Sequence, residues 1–172
     1  MWQLGQTSTH AESADSRSLR GGNNIPPVIY LLRHGDAEPE GAEGDAARRL
    51  TAKGEVQAAA AGRAIAKLGL TIDACVTSPR VRAHDTAELA CHALGIKPET
   101  VPAIGDGNYD TTDLAAGRGD LLLVGHEPVL SMEVARLTGA SIKMKKGGLA
   151  ILEPGLLRAL LRPAELAAIA GD

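Results

Sequence analysis

Three short clusters carry the residue types that phosphoryl chemistry needs. Arg33-His34-Gly35 follows the apolar run Val28-Ile29-Tyr30-Leu31-Leu32. Ser78-Pro79-Arg80-Val81-Arg82 follows a second apolar run, and Gly125-His126-Glu127-Pro128 follows Leu121-Leu122-Leu123-Val124. A neutral imidazole nitrogen can attack phosphorus when a fixed acceptor holds the other ring nitrogen and sets the tautomer. The planar fork of arginine pairs with phosphoryl oxygens. Two such forks, from Arg33 and Arg82, would stabilise charge on a transferring group. Gly35 permits close backbone approach, and His126 stands just before a helix start, where donors face an anion.

Each residue also has a plainer reading. His34 can be a turn histidine, His126 a histidine bonded to backbone, and Arg33 and Arg82 solvated charges. Ser78 reads as a helix cap rather than a substrate contact, Arg80 faces solvent or the site, and Thr86 reads as packing. Metal binding competes, because His34, His126, Asp36, Asp45 and Glu127 are N and O ligands. No His-Glu-x-x-His or comparable spacing occurs, and arginines in the pocket would repel a cation.

These clusters share an address, the end of a strand where a helix begins. Strands are expected over 27–32, 72–77, 100–104 and 120–124. A Gly-rich acidic loop spans 38–45. Thr51 opens a helix with Val56, Ala60, Ala64 and Leu68 as its core stripe, closed by Gly69. Ser78 caps the next helix, with Pro79 at its first position. That helix turns Ala83, Ala87, Leu89, Ala90 and Leu94 inward and ends at Gly95. Gly105-Asp106-Gly107-Asn108 reads as loop, 112–116 as a short helix and 128–137 as a helix closed by Gly139. Apolar runs at 148–152 and 156–161 flank Glu153-Pro154-Gly155 and predict an antiparallel hairpin at a sheet edge. A last helix covers 163–169. The order predicts an α/β three-layer sandwich, with a mostly parallel central sheet and an antiparallel edge. In open sheets of this kind ligands bind outside the carboxyl ends of the strands.

Composition narrows the function. The chain has 172 residues, enough for one domain, expected over 25–172 and preceded by a flexible tail over 1–24. There is no Phe, so the core must be aliphatic. A net charge of −3 gives no global basic field for nucleic acid. No run approaches the length of a membrane span, and the first residues lack the apolar core of a secretion signal. Cys75 and Cys91 form neither a disulfide framework nor a metal spacing. Two reduced buried thiols and a cytoplasmic location are expected.

The three clusters, in this order, resemble the motifs of the histidine phosphatase superfamily, also called phosphoglycerate-mutase-like. The matching residues are Arg33-His34-Gly35, Ser78-Pro79-Arg80-Val81-Arg82-Ala83 and Gly125-His126. Within that superfamily the chain is most similar to the small SixA-type phosphohistidine phosphatases. It is short, without an inserted cap domain. Asp36-Ala37, Asp45, Arg48, Leu50-Thr51 and Gly54 follow the pattern, as do Val124 to Pro128 and Lys145-Lys146-Gly147-Gly148. Arg49 stands where proline is common.

The resemblance implies that His34 becomes phosphorylated, that Arg33, Arg82 and His126 form the phosphate pocket, and that water then cleaves the phosphohistidine. It implies no metal and no organic cofactor. The proton donor is open among Asp36, Asp45, Asp106 and Glu127, with Asp45 the best match and a salt bridge to Arg48 or Arg49 as its alternative. The expected substrate is a protein-borne phosphohistidine or a phosphomonoester. The alternatives are a broad small-molecule phosphomonoesterase, a mutase, or a non-catalytic phosphate-binding module. A mutase would need a second phosphate site, for which only Lys143, Lys145 and Lys146 offer extra charge.

Overall fold

The structure is a computed structural model that describes residues 26–172. The tail expected over 1–24 lies outside the described residues. Six strands form one sheet: β1 (Ile29–Arg33), β2 (Ala74–Thr77), β3 (Pro98–Thr100), β4 (Leu121–Gly125), β5 (Leu149–Glu153) and β6 (Leu156–Leu161). Their order is β3-β2-β4-β1-β5-β6. The first four run parallel. β5 runs antiparallel to β1, and β6 to β5, so the expected hairpin forms the sheet edge.

Alternation along the strands divides the core in two. Tyr30, Leu32, Leu122 and Val124 face α1 (Ala52–Lys67), α2 (Val81–Leu94) and α6 (Pro163–Ala170). Ile29, Leu31, Leu121 and Leu123 face α3 (Pro102–Asp106), α4 (Thr111–Ala115) and α5 (Val129–Thr138). Both faces of β4 are buried, as a parallel sheet between two helical layers requires. Each fully buried leucine here contributes about 1.5–3 kcal/mol of transfer free energy. That anchors the strand ends on which the three clusters sit.

Three expectations fail in detail. The inward face of α1 is Gly54, Ala58, Ala60, Ala61, Gly62, Ala64 and Ile65, while Val56 and Leu68 are 58% and 44% exposed. The reason is the nearness of α2: a Cβ on Gly62 would overlap the Ala90 carbonyl. The interface selects small side chains ahead of apolar ones. No strand covers 100–104; β3 stops at Thr100 and Pro102 opens α3. Proline has the helical φ and no N–H to give to a ladder. Ser78 is not the cap of α2, which starts at Val81 behind Arg80. Its hydroxyl accepts from Arg80 N at 3.2 Å and serves elsewhere.

Candidate active site

β1 and β4 pair in register through Arg33 and Gly125, so the two histidines emerge side by side. The His34 and His126 ring centroids are 5.2 Å apart, tilted by 52°. His34 is buried, and its Nδ1 pairs with the Gly35 carbonyl at 2.7 Å. An imidazole N–H is the donor to a carbonyl, so Nδ1 carries the proton and Nε2 keeps its lone pair. Arg82 Nε donates to that Nε2 at 3.3 Å. Gly147 N donates to the His34 carbonyl at 2.9 Å. A Cβ on Gly35 would lie 2.5 Å from the Gly54 carbonyl. A Cβ on Gly54 would lie 2.0 Å from the Asp36 carbonyl, so this glycine at the start of α1 lets the helix reach the histidine loop, although it is a weak helix former.

The arginines converge on Asp45, which lies in a 3-10 turn, Asp45–Ala47. Arg82 Nη1 donates to the Asp45 carbonyl at 2.6 Å, and Nη2 to Oδ2 at 2.9 Å. Arg80 Nη1 reaches the same oxygen at 2.8 Å and its Nη2 reaches the Gly105 carbonyl at 3.0 Å. Arg48 Nη1 holds Oδ1 at 3.0 Å. The expected bridge to Arg48 is present, joined by two arginines from α2 and its cap. Arg33 Nη1 donates to the Met144 carbonyl at 2.7 Å, and its buried Nε has no partner among the described residues.

His126 Nε2 lies 2.8 Å from Ser78 Oγ, which is fully buried. The hydroxyl also accepts from Arg80 N, and its remaining lone pair and its proton let it pair with Nε2 in either tautomer. His126 Nδ1 is buried without a partner among the described residues. The α5 amides expected to face an anion are taken: Leu130 N donates to the His126 carbonyl and Ser131 N to Glu127 Oε2.

The other carboxylates are also engaged. Glu127 Oε1 accepts from Ser131 Oγ at 2.6 Å and from Met144 N at 2.7 Å. Asp36 accepts from Lys146 Nζ at 2.9 Å and Thr51 Oγ1 at 3.1 Å. Asp106 is exposed at the end of α3. Among the described residues no group of three His, Cys, Asp or Glu side chains is arranged to hold a metal ion. Cys75 and Cys91 are buried free thiols.

Burial and positive neighbours set the charges. Burial first, then Arg82, Arg33 and Lys146, bring His34 down to about 4, against the opposing pull of the Gly35 carbonyl. Burial, then His34 and Arg82, bring His126 down to about 3. Both rings are neutral near pH 7. Hydrogen bonds from Arg48 and then Arg82 hold the Asp45 carboxyl at about 2, so it is ionised. A neutral ring nitrogen beside buried guanidinium groups can attack an electrophilic centre that carries negative charge.

Comparison with known proteins agrees with this geometry. The model of the histidine phosphatase superfamily (branch 1) matches residues 29–115. The chain belongs to this superfamily. It is therefore a phosphatase acting on a phosphorylated substrate. An uncharacterised protein of Picosynechococcus sp. is 32% identical over 145 residues, 76% of this chain and 87% of that one. The fold matches the protein histidine phosphatase SixA complexed with tungstate, at TM-score 0.73 and 22% identity, over 81% of this chain and 99% of the other. It also matches an alpha-ribazole phosphatase from Shigella flexneri, at TM-score 0.59 and 17% identity, over 79% and 96%. The branch 1 histidine phosphatase fold explains the shared address of the three clusters.

Of the residues expected from sequence, His34, Arg82, His126 and Asp45 form one connected group, and Arg33 adjoins it. Asp106 is exposed beside Gly105, whose carbonyl accepts from Arg80. Sequence reasoning missed Ser78 as the partner of His126 and Thr86 as the partner of Gly35. It also missed the Met144 carbonyl and the Gly147 amide. Thr86 carried one signal, its spacing of one helical turn from Arg82.

Proposed function

We propose that this phosphatase hydrolyses phosphohistidine carried by a protein, through a covalent intermediate on His34. The observation that carries the reading is His34 itself: Nδ1 held by a carbonyl, Nε2 unprotonated beside the Arg82 guanidinium. The Nε2 lone pair forms a bond to phosphorus as the bond to the leaving imidazole breaks. The bonding pair leaves with that imidazole, which departs neutral because its other nitrogen carries a proton. A water oxygen then bonds to phosphorus, the bond to Nε2 breaks, and its pair returns to His34. The water protons end on phosphate and solvent. Arg33, Arg82 and His126 hold the phosphoryl oxygens through the transfer.

The four carboxyl groups considered as proton donors support a substrate of this kind. Asp45 is ionised on three arginines, Asp36 is paired with Lys146, Glu127 is bonded to Ser131 and Met144, and Asp106 is exposed. An alkoxide leaving group needs a proton, whereas an imidazole needs far less help. Asp45 is better placed to align Arg80 and Arg82 than to give up a proton. The connection from β4 to α5 is only His126-Glu127-Pro128, and the short stretch from His126 to the hairpin carries no inserted cap, which suits a substrate as large as a protein.

The likeness in fold to an alpha-ribazole phosphatase supports a second reading, a small phosphomonoester as substrate. Phosphate release from a phosphohistidine protein and from small phosphomonoesters decides between them. Turnover of the protein is expected, and turnover confined to the esters rejects it.

A further inference from the structure

We infer that Thr86 is a positioning residue that fixes the attack geometry of His34 relative to Arg82. This rests on His34 being the nucleophile. Thr86 lies on α2 one turn beyond Arg82 and is fully buried. Its Oγ1 donates to the Arg82 carbonyl at 2.6 Å and accepts from Gly35 N at 3.0 Å. A threonine hydroxyl has one proton. With that proton on the carbonyl four residues back, a common bond for helical threonine, the oxygen can only accept toward Gly35. The hydroxyl therefore ties the peptide that carries the nucleophile to the turn that carries the arginine.

The consequence reaches the reacting nitrogen. The Gly35 carbonyl is the group that holds His34 Nδ1. The same backbone is restrained by Gly147 N on the His34 carbonyl and by Gln57 Oε1 on Asp36 N at 2.8 Å. Those bonds come from outside α2; the Thr86 bond joins the backbone of the histidine loop to the arginine helix, beside the side-chain bond from Arg82 to the His34 ring. Without the hydroxyl, the Gly35 N–H is buried and lacks its acceptor. The peptide turns, Nδ1 loses its fixed carbonyl, and Nε2 shifts from its place 3.3 Å from Arg82 Nε. A displacement of about 1 Å at a reacting atom costs up to ~10²-fold in rate.

The test uses p-nitrophenyl phosphate turnover, inorganic phosphate as an inhibitor, and histidine ¹⁵N NMR. Thr86→Val keeps the shape and removes the hydroxyl; Thr86→Ser keeps the hydroxyl. Thr86→Val is expected to lower kcat by ~10- to ~100-fold, leaving KM and the inhibition constant of phosphate within about threefold. Thr86→Ser is expected to stay within about threefold of the parent. In the parent, ¹⁵N shifts should show His34 protonated on Nδ1, and the Gly35 amide should exchange slowly with solvent. An undiminished kcat in Thr86→Val, a Thr86→Ser variant as impaired as Thr86→Val, or a loss confined to KM overturns the inference. Should Thr86→Val not fold, a fast-exchanging Gly35 amide or an Nε2–H tautomer in the parent overturns it, and their opposites together with an active Thr86→Ser sustain it. Full activity in His34→Ala would instead remove the nucleophile reading beneath it.

Discussion

Asp45 and Arg82 are joined twice, by Arg82 Nη2 to Oδ2 at 2.9 Å and by Arg82 Nη1 to the Asp45 carbonyl at 2.6 Å. An arginine of the proposed phosphate pocket is thereby aimed by a carboxylate that carries the same charge as a phosphorylated substrate. Asp45→Asn keeps an acceptor and removes that charge. Inorganic phosphate should inhibit the variant about fivefold more tightly, the equivalent of ~1 kcal/mol near a protein surface. With p-nitrophenyl phosphate, kcat should stay within about tenfold. A loss of ~10²-fold or more seen with alkyl phosphates alone would identify Asp45 as a proton donor.

His34 has its Nδ1 committed to Gly35, leaving the lone pair on Nε2 for the proposed attack. His34→Ala should lower phosphate release by at least ~10³-fold while circular dichroism and melting show a folded chain. A chelator such as EDTA should leave the parent's activity intact. Activity surviving in His34→Ala would exclude the covalent route, and inhibition by EDTA would bring back the metal reading.

Arg82 is buried beside His34, whereas Lys145 is exposed. Arg82→Ala should cost ~10²-fold or more in kcat/KM, and Lys145→Ala less than about threefold. Similar losses in steady-state assays would mean that the phosphate pocket lies elsewhere.

Acid should affect both rate and stability. His34 titrates at about 4 and His126 at about 3 in the folded chain, against 6.5 for an ordinary histidine. Between about 6.5 and 4 the unfolded chain therefore binds more protons than the folded one, and stability falls as the pH drops through that window. Above pH 6.5 this contribution is fully present. Thermal melts should show Tm declining from pH 7 toward 4. The acid limb of kcat/KM that reports His34 should fall near pH 4, and a limb near 6.5 would contradict a buried neutral ring.

Much of the site was legible because local sequence carries it. An apolar run makes a buried strand, a glycine or proline ends it, and Arg33, His34 and His126 stand at those ends whatever the rest of the chain does. The hairpin at the sheet edge was equally readable from Pro154-Gly155 between two apolar runs. The face of α1 was not, because Val56 and Leu68 have the right hydropathy but helix–helix approach required glycine and alanine instead. Nor could local pattern show that Ser78 would turn from capping a helix to holding His126, or that Asp45 would gather Arg48, Arg80 and Arg82.

Sequence by itself determined which groups exist and at which strand ends they emerge. Tertiary structure decided which of them touch. The register of β1 against β4 sets the two histidines 5.2 Å apart, and the packing of α2 brings Thr86 and Arg82 to the histidine loop. Burial then removes water from both rings and shifts them to the neutral form. Those effects depend on distances between segments remote in the chain, and on the dielectric the folded core creates, neither of which is written in any local run of residues.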